Sequence, residues 1–128
     1  MRVAIVGHSL IHIRQRRFFH HLAHLGHDVM VVCPDRWASL TCTASGEDGA
    51  HDALPWSYQV VPLPVVGQPN MYQFQLPHLI RVMSDFRPDV VYIQEEIAAA
   101  FTLSALDIAR ALGAARVLFV WENQQAPT

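Results

Sequence analysis

The stretch that decides the fold is MRVAIVGHSLIHIRQRRFFHHLAHLGHDVMVVCP, Met1 to Pro34. Val3–Val6 is an unbroken apolar run ended by Gly7, the pattern of a short buried strand. From about Ile13 to Leu25 the apolar residues Phe18, Phe19, Leu22 and Leu25 recur at helical spacing, and Gly26 supplies a stop at the helix C-terminus. Val29–Val32 is a second buried strand, broken by Pro34. Strand, helix and strand in this order, with apolar strands, call for a parallel sheet covered on both faces.

The rest of the chain continues the alternation. Tyr58–Leu63 reads as a third strand whose far end is limited by Pro62 and Pro64. A helix is expected from about Tyr72 to Phe86, with Leu76, Leu79, Ile80, Met83 and Phe86 on one face and Arg87-Pro88-Asp89 ending it. Val90–Gln94 is a fourth strand, Ile97–Leu112 a third helix closed by Gly113, and Arg116–Trp121 a fifth strand. Between the second and third strands, Asp35 to Trp56 shows no period and reads as a long loop. The expected fold is therefore a single α/β domain over residues 1–128, a Rossmann-like doubly wound sheet of about five strands in the order 3-2-1-4-5 with helices on both faces.

Composition narrows the function classes. Of 128 residues, 52% are hydrophobic and 16% charged, which suits a well-filled core and argues against disorder. A formal net charge of −2 gives no electrostatic case for a nucleic-acid partner. No apolar run approaches the ~20 residues of a membrane span, and the N-terminus lacks the features of a signal peptide. The two cysteines, Cys33 and Cys42, have neither metal-site spacing nor a secretory context and read as reduced thiols of a cytoplasmic protein.

A doubly wound sheet binds ligands beyond the carboxyl ends of its strands. That directs attention to Gly7-His8-Ser9, Cys33-Pro34-Asp35, Gln94-Glu95-Glu96 and Glu122-Asn123-Gln124. A single glycine after the first strand does not make the GxGxxG turn of a dinucleotide site, so no nicotinamide or flavin cofactor is expected. The turn still feeds a helix N-terminus, where Ser9 and His8 either meet an anion or hydroxyl or simply satisfy the turn. On a helical wheel built around Phe18, Leu22 and Leu25, Arg16 and Arg17 point to solvent and Arg14 reaches toward the crevice. His20, His24 and His27 share the opposite, solvent-facing side with no further ligand at suitable spacing, so a metal site is rejected. Glu95 and Glu96 serve either the crevice or the charge balance of a helix N-terminus. Glu122 and Asn123 after the fifth strand stand in the same position, where a carboxylate could bond sugar hydroxyls.

Taken together, these segments resemble the N-terminal domain of GT-B glycosyltransferases of family four, also called glycosyl transferase group one. Leu25-Gly26-His27-Asp28-Val29 matches that family's helix-to-strand signature. Arg87-Pro88-Asp89-Val90-Val91-Tyr92-Ile93-Gln94-Glu95-Glu96 is similar to its next strand segment, and Ala115 to Asn123 to the strand after it. The resemblance implies transfer of a sugar from a nucleotide-sugar donor to an acceptor hydroxyl with retention of configuration, without a metal. It implies an acceptor-side role for this domain, with Gly7, His8, Ser9, Arg14, Gln94, Glu95 and Asn123 around substrate and donor phosphate. Glu122 stands where many members carry a cleft histidine, which makes it the candidate catalytic residue. The first loop lacks the Gly-Gly pair of many members. A C-terminal Rossmann domain is the implied missing partner, and the chain is expected to be a fragment inactive alone. The competing expectation is a stand-alone Rossmann-like or flavodoxin-like binding module without catalysis. A third is an interaction domain that forms a homodimer through an exposed sheet edge. The expected location is the cytoplasm, with peripheral attachment to a membrane left open for a lipid acceptor.

Overall fold

The computed structural model of the chain describes residues 1–37, 39–42, 54–67, 73–95 and 100–119. Its strands in chain order are β1 (Arg2–Val6), β2 (Asp28–Pro34), β3 (Arg36–Trp37), β4 (Leu40–Thr41), β5 (Tyr58–Leu63), β6 (Val65–Val66), β7 (Gln73–Phe74), β8 (Val90–Gln94) and β9 (Ala115–Phe119). The helices are α1 (Ile13–Arg17), α2 (His20–His24), α3 (Leu76–Phe86) and α4 (Ala100–Ala111), and a 3-10 turn spans His8–Ile11. The central sheet has the order β5-β2-β1-β8-β9 and every pairing in it is parallel. This is the expected Rossmann-like α/β arrangement, with the long strands in the order 3-2-1-4-5.

The period-two alternation of each strand assigns its side chains to two cores. Ala4, Val6, Met30, Val32, Val91 and Ile93 face α3 and α4, where Leu79, Met83, Phe101 and Ala105 complete the packing. Val3, Ile5, Val29, Val31 and Val60 face the other side and meet Leu10, Ile11, Phe19 and Ala23. The middle strands are buried on both faces, which is why their sequences are continuous apolar runs.

The first helical segment departs from expectation. In place of one helix to Leu25, α1 and α2 are separated at Phe18-Phe19, where the Phe19 and Leu22 amides donate to carbonyls three residues back, Arg16 and Phe19, at 2.9 and 3.2 Å. The buried stripe is Arg16, Phe19, His20 and Ala23, whereas Phe18 and Leu25 are each 74% exposed. Arg16 therefore points inward, not to solvent, and His20 is buried instead of sharing a solvent face with His24. The wheel misplaces both because it treats polar side chains as outward. Arg16 satisfies its guanidinium on the carbonyl oxygens of Leu10 and Ile11, at 2.8 and 2.9 Å. The His20 ring sits edge-on to Tyr58 at 4.8 Å. Burial is tolerable for polar groups that are satisfied. The helix stop at Gly26 is as expected: its φ of 96° lies in the left-handed region that side chains avoid.

Two regions not expected to hold strands contain short strand pairs. Within Asp35 to Trp56, β3 and β4 pair antiparallel as a hairpin, with Arg36 opposite Thr41 and Trp37 opposite Leu40. Before α3, the expected helical residue Gln73 is extended instead and pairs with Val66 through the β6–β7 ribbon. Pro77, in the first turn of α3, suits a helix start. That helix ends at Phe86, as its Arg-Pro-Asp boundary suggests, with Arg87 left-handed at φ 54° and its amide donating to the Met83 carbonyl. The N-terminal turns of the third expected helix and the end of the fifth strand beyond Phe119 lie outside the described residues.

Candidate functional site

The carboxyl ends of β1, β2 and β8 meet at one edge of the sheet, and Gly7 sits in the middle of it. A Cβ built on Gly7 would lie 2.2 Å from the Gln94 carbonyl oxygen, so only glycine allows this approach of the first turn to β8. The Gly7 amide donates to the Val32 carbonyl at 3.2 Å, which ties the turn to β2 as well. The 3-10 turn comes next and leads into the five-residue α1, with no side-chain cap on either. The expected helix N-terminus for an anion is thus replaced by a tight turn whose polar side chains reach sideways.

Ser9 and Gln94 come together on one side of that turn. The Gln94 side-chain amide donates to Ser9 Oγ at 3.1 Å and to Gln15 Oε1 at 3.0 Å. This network forms the wall of a crevice of about 570 Å³ that is also lined by Arg14, Phe18, Tyr92 and Phe119. Parallel register sets Gln94 opposite Phe119, so both project onto the same face. The Tyr92 and Phe119 rings lie nearly parallel, 18° apart, with centroids 6.3 Å apart. Tyr92 also packs edge-on against Phe19 at 5.4 Å. Burial raises the Tyr92 phenol above its ordinary value of 10.0, so it remains a neutral hydroxyl at physiological pH. Arg14 is exposed and lines the crevice.

His8 and Glu95 form a separate cluster. Glu95 is 1% exposed, and both its carboxylate oxygens lie 2.8 Å from His8 Nδ1. The His8 amide adds a third bond to Oε2 at 3.2 Å. A carboxylate on Nδ1 orients an imidazole and leaves Nε2 as its acceptor nitrogen in the neutral form. Trp37, on the β3–β4 hairpin, covers the ring at a centroid distance of 4.9 Å. Neither His8 nor Glu95 lines the crevice of Ser9 and Gln94. Asp35, at the carboxyl end of β2, holds a buried carboxylate oxygen with no hydrogen-bond partner among the described residues.

Glu96, Glu122 and Asn123 lie outside the described residues. Among the described residues, no group of three or more His, Cys, Asp or Glu side chains is arranged to hold a metal ion. No described helix is long and apolar enough to cross a membrane. Sequence reasoning passed over Gln15, Trp37, Tyr92 and Phe119. Only Tyr92 and Phe119 carried a usable signal, as aromatic residues at alternate positions on one face of neighbouring parallel strands.

Fold and edge geometry together define a Rossmann-like α/β domain with a polar and aromatic crevice at the strand ends. No protein-family model and no curated protein matches the chain. Among solved structures, the C-terminal domain of a hydrogenase from Pyrococcus furiosus matches with a TM-score of 0.53 at 14% identity. The match covers 93% of this chain and 90% of that one, and at this identity the likeness is one of fold.

Proposed function

We propose that the chain is the acceptor-side domain of a retaining glycosyltransferase that moves a sugar from a nucleotide-sugar donor to an acceptor hydroxyl. The observation that carries this reading is the crevice in which the Ser9–Gln94–Gln15 network stands beside the Tyr92–Phe119 aromatic pair. A sugar ring offers apolar C–H faces to aromatic rings and hydroxyls to amides, and few other small ligands use both so fully. Arg14 at the mouth suits a phosphate or carboxylate. In this reading Glu122 keeps the catalytic role that the resemblance implies, and a second Rossmann domain supplies the nucleotide grip.

The test is ligand-observed NMR on the chain with methyl glycosides, a nucleotide diphosphate sugar and a free nucleotide. Glycosides are expected to bind, and Gln94→Ala to weaken them about fivefold to tenfold, the effect of one lost hydrogen bond of about 1 kcal/mol. Turnover of the nucleotide-sugar is expected only with a donor-binding domain present. Glycosides that show no contact with the chain, or bind equally well to the Gln94 variant, overturn the reading. A second reading is a binding module without catalysis, which needs the crevice alone. Tight binding of a free nucleotide or flavin with no response to glycosides selects it.

A further inference from the structure

The carboxyl end of β2 holds a cluster that the sugar crevice does not use. Cys33 is fully buried in β2 and Cys42, immediately after β4, is 7% exposed. Both stand as thiols, with their sulfurs 3.4 Å apart. That separation exceeds a disulfide bond by only about 1.4 Å. Arg16 Nη1 lies 3.8 Å from Cys42 Sγ, and its bonds to the Leu10 and Ile11 carbonyls fix the cation there. The backbone around the pair is already tied down: the Cys42 amide donates to the Asp35 carbonyl at 2.9 Å, and the Asp35 amide to the Leu63 carbonyl at 2.8 Å.

We propose that Cys33 and Cys42 are a reversible thiol–disulfide site whose oxidant is a low-molecular-weight disulfide of the glutathione class. Cys42, the less deeply buried residue and the one beside the guanidinium, attacks as thiolate. It forms a bond to one sulfur of the reagent, the reagent's S–S bond breaks, and one reagent thiolate leaves and is protonated. Cys33 then gives up its proton and attacks Cys42 Sγ, expelling the second reagent thiolate. Two protein thiols are oxidised to one disulfide, and one reagent disulfide is reduced to two thiols. A fixed positive charge beside the attacking sulfur favours this order, because negative charge is carried there during exchange.

The consequence reaches the candidate site through the hairpin. The new bond closes the segment from Cys33 to Cys42, which contains β3 and β4, onto β2. Trp37 on that hairpin covers His8, whose ring is held by Glu95. Oxidation thus adds a covalent tie to a cover that already lies over the His8–Glu95 pair in the dithiol form. This inference does not depend on the sugar-transfer reading.

The experiment equilibrates the folded chain with oxidised glutathione, quenches with an alkylating reagent, and maps the disulfide by mass spectrometry. The expected product has lost two hydrogens, carries a Cys33–Cys42 linkage and returns to the dithiol with excess dithiothreitol. Trypsin cleavage after Arg36, an exposed residue of β3, is expected to slow severalfold in the oxidised form. Cys33→Ala should trap glutathione on Cys42, whereas Cys42→Ala should leave Cys33 unmodified. Retention of both thiols in the folded chain while the urea-unfolded chain oxidises overturns the proposal. So does linkage only between separate chains. The mapping of the unaltered chain decides the matter even if a cysteine variant fails to fold.

Discussion

Arg16 and Arg17 are chemically identical neighbours with opposite fates. Arg16 is 1% exposed and spends its guanidinium on two backbone carbonyls and the edge of Cys42, while Arg17 is exposed. Removing Arg16 strands the Leu10 and Ile11 carbonyls in an apolar setting, each at a cost of about 1–3 kcal/mol, and leaves a cavity as well. Arg16→Ala is therefore expected to lower unfolding free energy in urea by about 3 kcal/mol or more. Arg17→Ala should stay within about 0.5 kcal/mol of the parent. Equal effects from the two would mean that Arg16 is not held as described. Nothing in the run Arg14-Gln15-Arg16-Arg17 distinguishes them, because the distinction lies in two carbonyls left open by the preceding 3-10 turn. A pattern of residue types records apolarity, not the availability of a backbone acceptor. His20 escapes the pattern for the same reason, since its partner is the Tyr58 ring from a distant strand.

At the scale of elements, the strands and the stops were legible and the short irregular pieces were not. Each long strand is an apolar run bounded by Gly or Pro, and Arg87-Pro88-Asp89 marks a helix end by restricting the backbone before proline. The β3–β4 hairpin and the β6–β7 ribbon have only two residues per strand, too few for any period to show. The break between α1 and α2 carries no Gly or Pro to announce it. Gly7 is legible as a strand end, but its purpose is not. The close approach it permits is between two elements: the turn after β1 lies directly on the Gln94 carbonyl of β8. Gly7→Ala must push those backbones apart, since the group met at 2.2 Å is main chain and not a side-chain tip that can swing away. The expected cost is about 1–3 kcal/mol, the range for overpacking a close contact. Thermal unfolding would register it, together with disturbed amide shifts at Gln94 and Glu95 in NMR spectra. A variant as stable as the parent, with those shifts unmoved, would refute the contact.

For the molecule as a whole, topology foretells where polar side chains gather but not which of them meet. Ligand crevices follow strand carboxyl ends as a rule of the architecture, and Ser9 and Gln94 were accessible to that rule. The division into a Ser9–Gln94 wall and a His8–Glu95 pair, and the entry of Tyr92 and Phe119, depend on the register of β8 with β9, which no single strand reveals. Tyr92 lies where the helical layer over β1 gives way to the partly open face of β9, with Val117 and Phe119 43% and 48% exposed. Its phenol therefore reports on the integrity of that whole side. Burial raises its folded-state pKa above the ordinary 10.0, so from about that pH upward the folded chain holds this proton more firmly than the unfolded chain. Stability changes with pH as protons bound in the unfolded state minus those bound in the folded state, and here that difference is negative. The contribution is fully present below the unfolded-state value and is lost as pH rises through the folded-state value. Tyr92→Phe has no proton to lose, so its urea stability should decline less steeply than the parent's between about pH 9 and 11. Parallel slopes for the two proteins would show that Tyr92 titrates as an open phenol, and that the face between α1 and β9 is looser than its ring contacts require.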